Sequence, residues 1–280
     1  MIRIHPLQTS SVYLRPSQII GRAPARRLRP LFDPRWSEKL PVLAWLIEHP
    51  EGLFLVDTGE SPRAMEKGYF PPWHPYFRRA LRFEIAPEDA IDARIRGLGF
   101  DPHDIRAVVL THLHTDHAGG LFHLPRLRVL LTHIEWQLAQ GFAGVLRGYF
   151  LGHLPENFRP AFIRFDAEPP APFPRAMALT EDRAIIIVPT PGHSSGHVSV
   201  LVRLDGYQVL LAGDTSYTAA AADDLKIDGV TPNPHSARAT LRRINALRRH
   251  TPTVYLPSHD PESPARLAQA AHAAPPRAMP

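Results

Sequence analysis

AVVLTHLHTDHAGG, residues 107–120, runs an apolar block straight into four potential metal ligands. The block belongs to a strand expected over Arg106 to Thr111, and His112, His114, Asp116 and His117 follow it without a break. At the tip of a strand, residues two apart project to the same side, so His112 and His114 can share one ion. Asp116 and His117, on the turn into the next helix, can address a second.

Further candidates stand at the ends of other strand-like runs. His193 follows Ile185 to Val188 in TPGHSSGH, Asp214 follows Tyr207 to Ala212 in AGDTSY, and His259 follows Thr253 to Leu256 in LPSHD. A sheet edge delivers such side chains into a common crevice. Five His and two Asp are enough for two ions, with one carboxylate bridging. The chain has no Cys and 16 His, which removes disulfides, thiolate metal sites and a cysteine nucleophile. Imidazole and carboxylate ligands suit zinc first, with iron, cobalt or manganese also fitting.

Around this segment the 280 residues, 44% of them hydrophobic, can enclose a sizeable core. Runs at Ile2 to His5, Ser11 to Leu14, Val42 to Glu48 and Leu53 to Asp57 read as strands, the last two joined by the turn His49-Pro50-Glu51-Gly52. Pro87 to Leu98 has the spacing of an amphipathic helix, with Ile91, Ile95 and Leu98 facing inward. Ser236 is expected to cap a helix that buries Leu241, Ile244 and Leu247. Two sheet-forming halves flanked by helices predict an α/β fold, a four-layer αββα sandwich. No linker divides them, so residues 1–280 are expected to form one domain. It would comprise N-terminal strands and a loop (1–41), an aromatic insertion (60–86) and a flexible tail (271–280).

The 32 Lys and Arg against 27 Asp and Glu give +5, but no dense basic run accompanies the excess, which reads as a surface bias and not as a nucleic-acid footprint. No apolar run approaches the ~18 residues of a membrane span, and the first residues lack a signal-type apolar region. A cytoplasmic monomer or homodimer, bound to neither membrane nor nucleic acid, is the expectation.

The motifs together resemble the metallo-β-lactamase superfamily from about Val42 to Asp260, and within it the N-acyl-homoserine lactonases, the quorum-quenching enzymes. Their pattern of HxHxDH, PGHxxGH, an Asp with Tyr three residues on, and a final His is matched by His112/His114/Asp116/His117, His193, Asp214 with Tyr217, and His259. The resemblance implies that His112, His114 and His193 hold one divalent metal, that Asp116, His117 and His259 hold the other, and that Asp214 bridges. It further implies a lactone substrate opened by a hydroxide lying between the metals. Tyr217 would hydrogen-bond the carbonyl or oxyanion, and Asp116 would pass a proton to the leaving oxygen. Thr115 departs from the family, several of whose members carry an aromatic there that packs near the lactone ring.

Other residues are weighed individually. Asp57 in LVDTG either accepts a proton from a ligand imidazole or caps its own turn. His197 reads as a structural hydrogen-bonder. Phe32, Trp36, Phe70, Trp73, Phe77, Phe142 and Phe150 are candidates for an apolar channel that would hold an acyl chain. Rival functions on the same scaffold are hydrolysis of other lactones, aryl esters or organophosphates, a glyoxalase II-like thioesterase and a tRNA-processing nuclease. Zero Cys excludes the thiolate-bearing β-lactamase branches.

Overall fold

The structure, a computed structural model, describes residues 1–273. Twelve strands are found among them: β1 (Arg3–Leu14), β2 (Leu40–His49), β3 (Gly52–Val56), β4 (Leu81–Glu84), β5 (Ile105–Val109), β6 (Val129–Leu131), β7 (Ala161–Phe162), β8 (Met177–Ala178), β9 (Ile185–Pro189), β10 (Val198–Arg203), β11 (Gln208–Gly213) and β12 (Thr253–Pro257). They form a seven-stranded sheet in the order β4-β1-β2-β3-β5-β6-β7 and a five-stranded sheet in the order β12-β11-β10-β9-β8.

The alternation of side chains along the strands builds the layers. In β2, Leu43, Trp45 and Ile47 point to one face and meet Ile185, Ile187, Val200 and Leu211 of the other sheet. Ala44 and Leu46 point to the opposite face and pack with Ile91 and Ile95 of the helix Ile91–Gly97. Ile186, Leu201 and Leu210 likewise turn outward onto Leu241, Ile244 and Leu247 of the helix Pro234–His250. Both sheets are therefore apolar on both faces, and the helix–sheet–sheet–helix sandwich follows.

Several elements differ from the sequence expectation. Ile2 to His5 and Ser11 to Leu14 belong to one strand, β1, whose register shifts between Gln8 and Ser10. Pro6 lies in the half of β1 that β4 does not cover, so on that side there is no ladder to break. The helix expected over Pro87 to Leu98 is divided. A 3₁₀ turn, Pro87–Asp89, is closed by Asp89 accepting from the Ala86 N–H, and Ala90 is extended before the α-helix begins. Leu98 falls beyond that helix and is exposed. Asn233, not Ser236, caps the long helix: its Oδ1 accepts from the Ser236 N–H at 3.0 Å. The insertion 60–86 is not all loop, since it holds the helix Pro75–Arg79 and the strand β4. Of the expected tail, residues 271–273 complete the helix Ser263–Ala273, and 274–280 lie outside the described residues. No helix among the described residues is long and apolar enough to cross a membrane.

Candidate metal centre

Strands β5, β9, β11 and β12 end at the same edge of the sandwich. The chain leaves β5 at Val109 and presents His112, His114, Asp116 and His117 over the helical turn Thr115–Ala118. The segment after β9 adds His193, β11 ends beside Asp214, and β12 ends just before His259. His114 Nδ1 lies 2.9 Å from His112 Nε2 and 3.0 Å from His193 Nε2. Asp214 Oδ1 lies 3.3 Å from both His117 Nε2 and His259 Nε2, and Asp116 Oδ2 lies 3.4 Å from His259 Nε2. Donor atoms of His112/His114/His193, of His112/His117/Asp214 and of Asp116/His117/His259 each fall within 4.8 Å of one another. The seven side chains read from the sequence thus converge on one spot.

Each imidazole turns one nitrogen inward and anchors the other outward. His117 Nδ1 bonds Asp57 Oδ2 at 2.8 Å, His193 Nδ1 bonds Asp228 Oδ2 at 3.1 Å, and His259 Nδ1 bonds the Pro41 carbonyl at 2.9 Å. His114 Nε2 bonds the Arg147 carbonyl and His112 Nδ1 bonds Thr111 Oγ1. Anchoring of this kind fixes tautomer and ring plane and leaves the inner lone pair free for a cation.

The inner atoms fit divalent metal on two counts. His117 Nε2, His259 Nε2 and Asp214 Oδ1 are buried without a hydrogen-bond partner although they face one another closely. Electrostatics agree: burial, then neighbouring imidazoles, push His112 well down and His114 to about 4, so both are neutral at ordinary pH, the form that can bind a cation. At His259 burial opposes charge, yet Asp214 and Asp116 outweigh it and raise the group to about 10. His117 is raised against the same burial by Asp214 and Asp57. The carboxylates therefore call for positive charge between them, and an all-imidazole and carboxylate donor set with one shared Asp has the composition for two cations.

Residues that the sequence did not single out hold this geometry. Asp228 accepts from the N–H groups of Val230 and Thr231 as well as facing His193. Glu135, fully buried, accepts from Ser194 Oγ at 2.7 Å, the Gly196 N–H at 3.1 Å and the Leu113 N–H at 3.3 Å, tying together the loops that carry His112, His114 and His193. Neither has a spacing that would mark it. His197 lies outside the cluster: its Nδ1 bonds Thr190 Oγ1 and its Nε2 accepts the Asp214 N–H.

Four of the seven, His114, Asp116, His193 and Asp214, form the floor of a cleft of about 470 Å³ walled by Val12, Leu14, Leu31, Leu81, Phe83, Leu138 and Leu146. Tyr217 lines it, stacked on His259 with its centroid 5.3 Å away, and so does Thr115. The aromatic expectation needs correction, because among the candidates only Phe77 lines this cleft. Phe32, Trp73 and Phe142 are largely exposed. Trp36 is held between the guanidinium groups of Arg15 and Arg82, 3.5 and 4.2 Å from its ring centre. Phe70 and Phe150 stand behind Phe77 in a ring stack, with Phe70 4.3 Å from Phe77. The channel walls are largely aliphatic instead, with Phe77 and Phe83 the two phenylalanines among them.

The family model of the metallo-β-lactamase superfamily matches residues 38–259. The chain belongs to that superfamily. N-acyl homoserine lactonase AttM of Rhizobium radiobacter is 29% identical over 247 residues, covering 83% of this chain and 86% of AttM. A variant of AiiA from B. thuringiensis, solved with N-decanoyl-L-homoserine at its active site, has a TM-score of 0.75 at 22% identity over 94% of each chain. AidC, described as a dizinc quorum-quenching lactonase, has a TM-score of 0.63 at 15% identity over 93% of this chain and 88% of AidC. The strand ends of this superfamily member thus carry the His/Asp clusters on a fold shared with those lactonases.

Proposed function

We propose that this protein is a zinc-dependent hydrolase that opens the lactone ring of N-acyl-homoserine lactones. His112, His114 and His193 would hold one ion, Asp116, His117 and His259 the other, and Asp214 would reach both. The observation that carries the reading is the convergence of these side chains at the base of a largely aliphatic cleft that His114, Asp116, His193, Asp214 and the Tyr217 phenol line. The name of AttM, 29% identical, supports the same substrate class.

When bound, such ions supply a Lewis acid for the ring carbonyl and a hydroxide nucleophile near neutral pH. Burial, then Tyr76 and Asp214, hold the Tyr217 phenol well above its ordinary range, so it stays protonated and donates to the ring carbonyl as its oxygen gains charge. Asp116, the carboxylate of the cluster that retains some exposure, stands beside the cleft; kept ionised by His117 and His259 against its burial, it would accept the proton of the attacking hydroxide as the acid forms and hand it to the ring oxygen as the C–O bond breaks. The aliphatic walls keep an acyl chain out of water and lower the local dielectric around both groups.

Rates of acid release from N-acyl-homoserine lactones, aryl esters, phosphotriesters and S-lactoylglutathione test the reading. It expects preference for the first and loss of turnover on chelation; preference for any of the others overturns it. Elemental analysis of protein purified without added metal tests zinc, and another metal at full occupancy would overturn that part alone.

A further inference from the structure

We infer that Tyr76 is a second substrate-binding phenol, held beside Tyr217 by the amide of Gln18, and that the pair selects lactones whose ring substituent carries a second carbonyl. This rests on the lactone reading above and goes beyond it in naming how the substituent is recognised. Gln18 lies on the helical turn Pro16–Ile19 after β1 and is only 2% exposed. Its Nε2 is 2.5 Å from the Tyr76 hydroxyl and 2.9 Å from the Tyr217 hydroxyl, so one amide nitrogen spans two phenols from distant parts of the chain. Gln18, Tyr76 and Tyr217 all line the cleft with Asp116 and Asp214.

The direction of these bonds follows from what is sealed in. Gln18 Oε1 is buried without a partner. Turning the amide over would bury two unpaired N–H donors there instead of one carbonyl oxygen, which is the costlier arrangement. The NH₂ therefore donates to both phenols. Each phenol oxygen is then an acceptor towards Gln18, and each O–H proton is turned away from it. Among the described residues no further hydrogen bond is formed by either hydroxyl. Two phenolic donors are thus left for a ligand in the cleft. Burial, then Asp116, raises Tyr76 above its ordinary range and keeps that proton in place.

In an N-acyl-homoserine lactone the ring carbonyl and the amide carbonyl are joined through one carbon and one nitrogen, the linkage of successive carbonyls in a peptide. Two neighbouring donors can take both. A γ-alkyl lactone of equal chain length offers one carbonyl only. With Tyr217 on the ring carbonyl, Tyr76 would serve the amide carbonyl and act on discrimination between the two substrates.

The test compares kcat/KM for N-decanoyl-homoserine lactone and a γ-alkyl lactone of similar length in the metal-loaded wild type and variants of equal metal content. Tyr76→Phe is expected to lower the N-acyl substrate about tenfold, the effect of one hydrogen bond, and to leave the alkyl lactone within about twofold. Tyr217→Phe should lower both. Gln18→Met should lower both and also erase the difference that Tyr76→Phe makes to the ratio, a coupling that mere loosening of the fold does not produce. Binding of the corresponding N-acyl lactam gives the same comparison without turnover. Equal loss on both lactones in Tyr76→Phe, or none, overturns the inference and leaves the lactone reading standing. A wild type that opens neither lactone overturns both.

Discussion

Two buried carboxylates, Asp57 and Asp228, should tune the metal centre separately. Asp57 accepts from the Thr111 N–H at 2.7 Å, the Thr111 hydroxyl at 2.9 Å and His117 Nδ1 at 2.8 Å. In Asp57→Asn the carbonyl oxygen can keep the Thr111 N–H, but the NH₂ then faces His117 Nδ1–H, donor against donor. The imidazole escapes by moving its proton to Nε2, the atom that points into the centre, and a protonated nitrogen is no ligand. Asp228→Asn sets the same conflict at His193, because the N–H groups of Val230 and Thr231 hold the other oxygen. Loss of such an outer carboxylate costs about ten- to a hundredfold in metal affinity, or about 1.4 to 2.8 kcal/mol. His193 groups with His112 and His114, whereas His117 groups with Asp116 and His259. Competition against a chromophoric chelator should therefore show two release steps, with Asp57→Asn weakening one and Asp228→Asn the other. Equal weakening of both steps by both variants, or affinities within about twofold of wild type, would refute the argument that each carboxylate acts through its own imidazole.

Glu135→Ala leaves buried donors of Leu113, Ser194 and Gly196 unpaired and should lower the unfolding free energy by about 3 to 5 kcal/mol in a denaturant titration. Glu60 is fully buried, and burial, with a smaller push from Asp116, raises it from 4.5 to about 8. The folded state holds this proton more tightly than the unfolded chain, so its contribution is complete below about 4.5 and is lost as pH rises through about 8. Denaturant midpoints on either side of that window should fall with pH in the wild type and fall less in Glu60→Gln. One apolar layer takes side chains from both sheets, so a single thermal transition is expected for the chain by calorimetry.

The metal candidates were legible because residue type, close spacing and position at strand ends all point the same way. His112 to His117, His193, Asp214 and His259 need only the end of each strand to be found, and an apolar run marks that well. Of the acceptors behind them, Asp57 could be read because it too ends a strand, and it does meet His117; the others carry no such mark. Asp228 lies in IDGVTPN, which reads as an ordinary turn, and Glu135 sits inside a helix whose Thr132 cap is equally ordinary. Their work depends on contacts across 35 and 59 residues, which local pattern does not encode. The aromatic insertion misled for a related reason: ring content reports that a loop has something to pack, not which side it packs on. Phe70 and Phe150 fill the space behind Phe77, and Trp36 is covered by Arg15 and Arg82, while aliphatic residues from β1 and the segments near 31, 81, 138 and 146 face the cleft.

This division has a consequence for how the molecule can change its substrate. The donor atoms come from the ends of strands in both sheets and are anchored by buried acceptors, so a change there costs metal and stability together. The cleft walls come from other places: the β1 end and the loop after it, the helix and strand of the 60–86 insertion, and the short helices around 133–149. Loops on a rigid scaffold tolerate substitution, and the aliphatic side chains here contribute hydrophobic area at about 25 cal/mol per Å², whereas Arg147 and Tyr149 of the same wall touch His114 and are tied to the centre. Gln18 and Tyr76 belong to the same mobile set of choices, yet they meet Tyr217 beside the metals. On the lactone reading, preference for acyl length and preference for the ring substituent would thus be carried by different wall residues, and a substitution at Leu138 or Leu146 should shift the first, measured as the ratio of kcat/KM between long and short acyl chains, while leaving the second, proposed at Tyr76, unchanged.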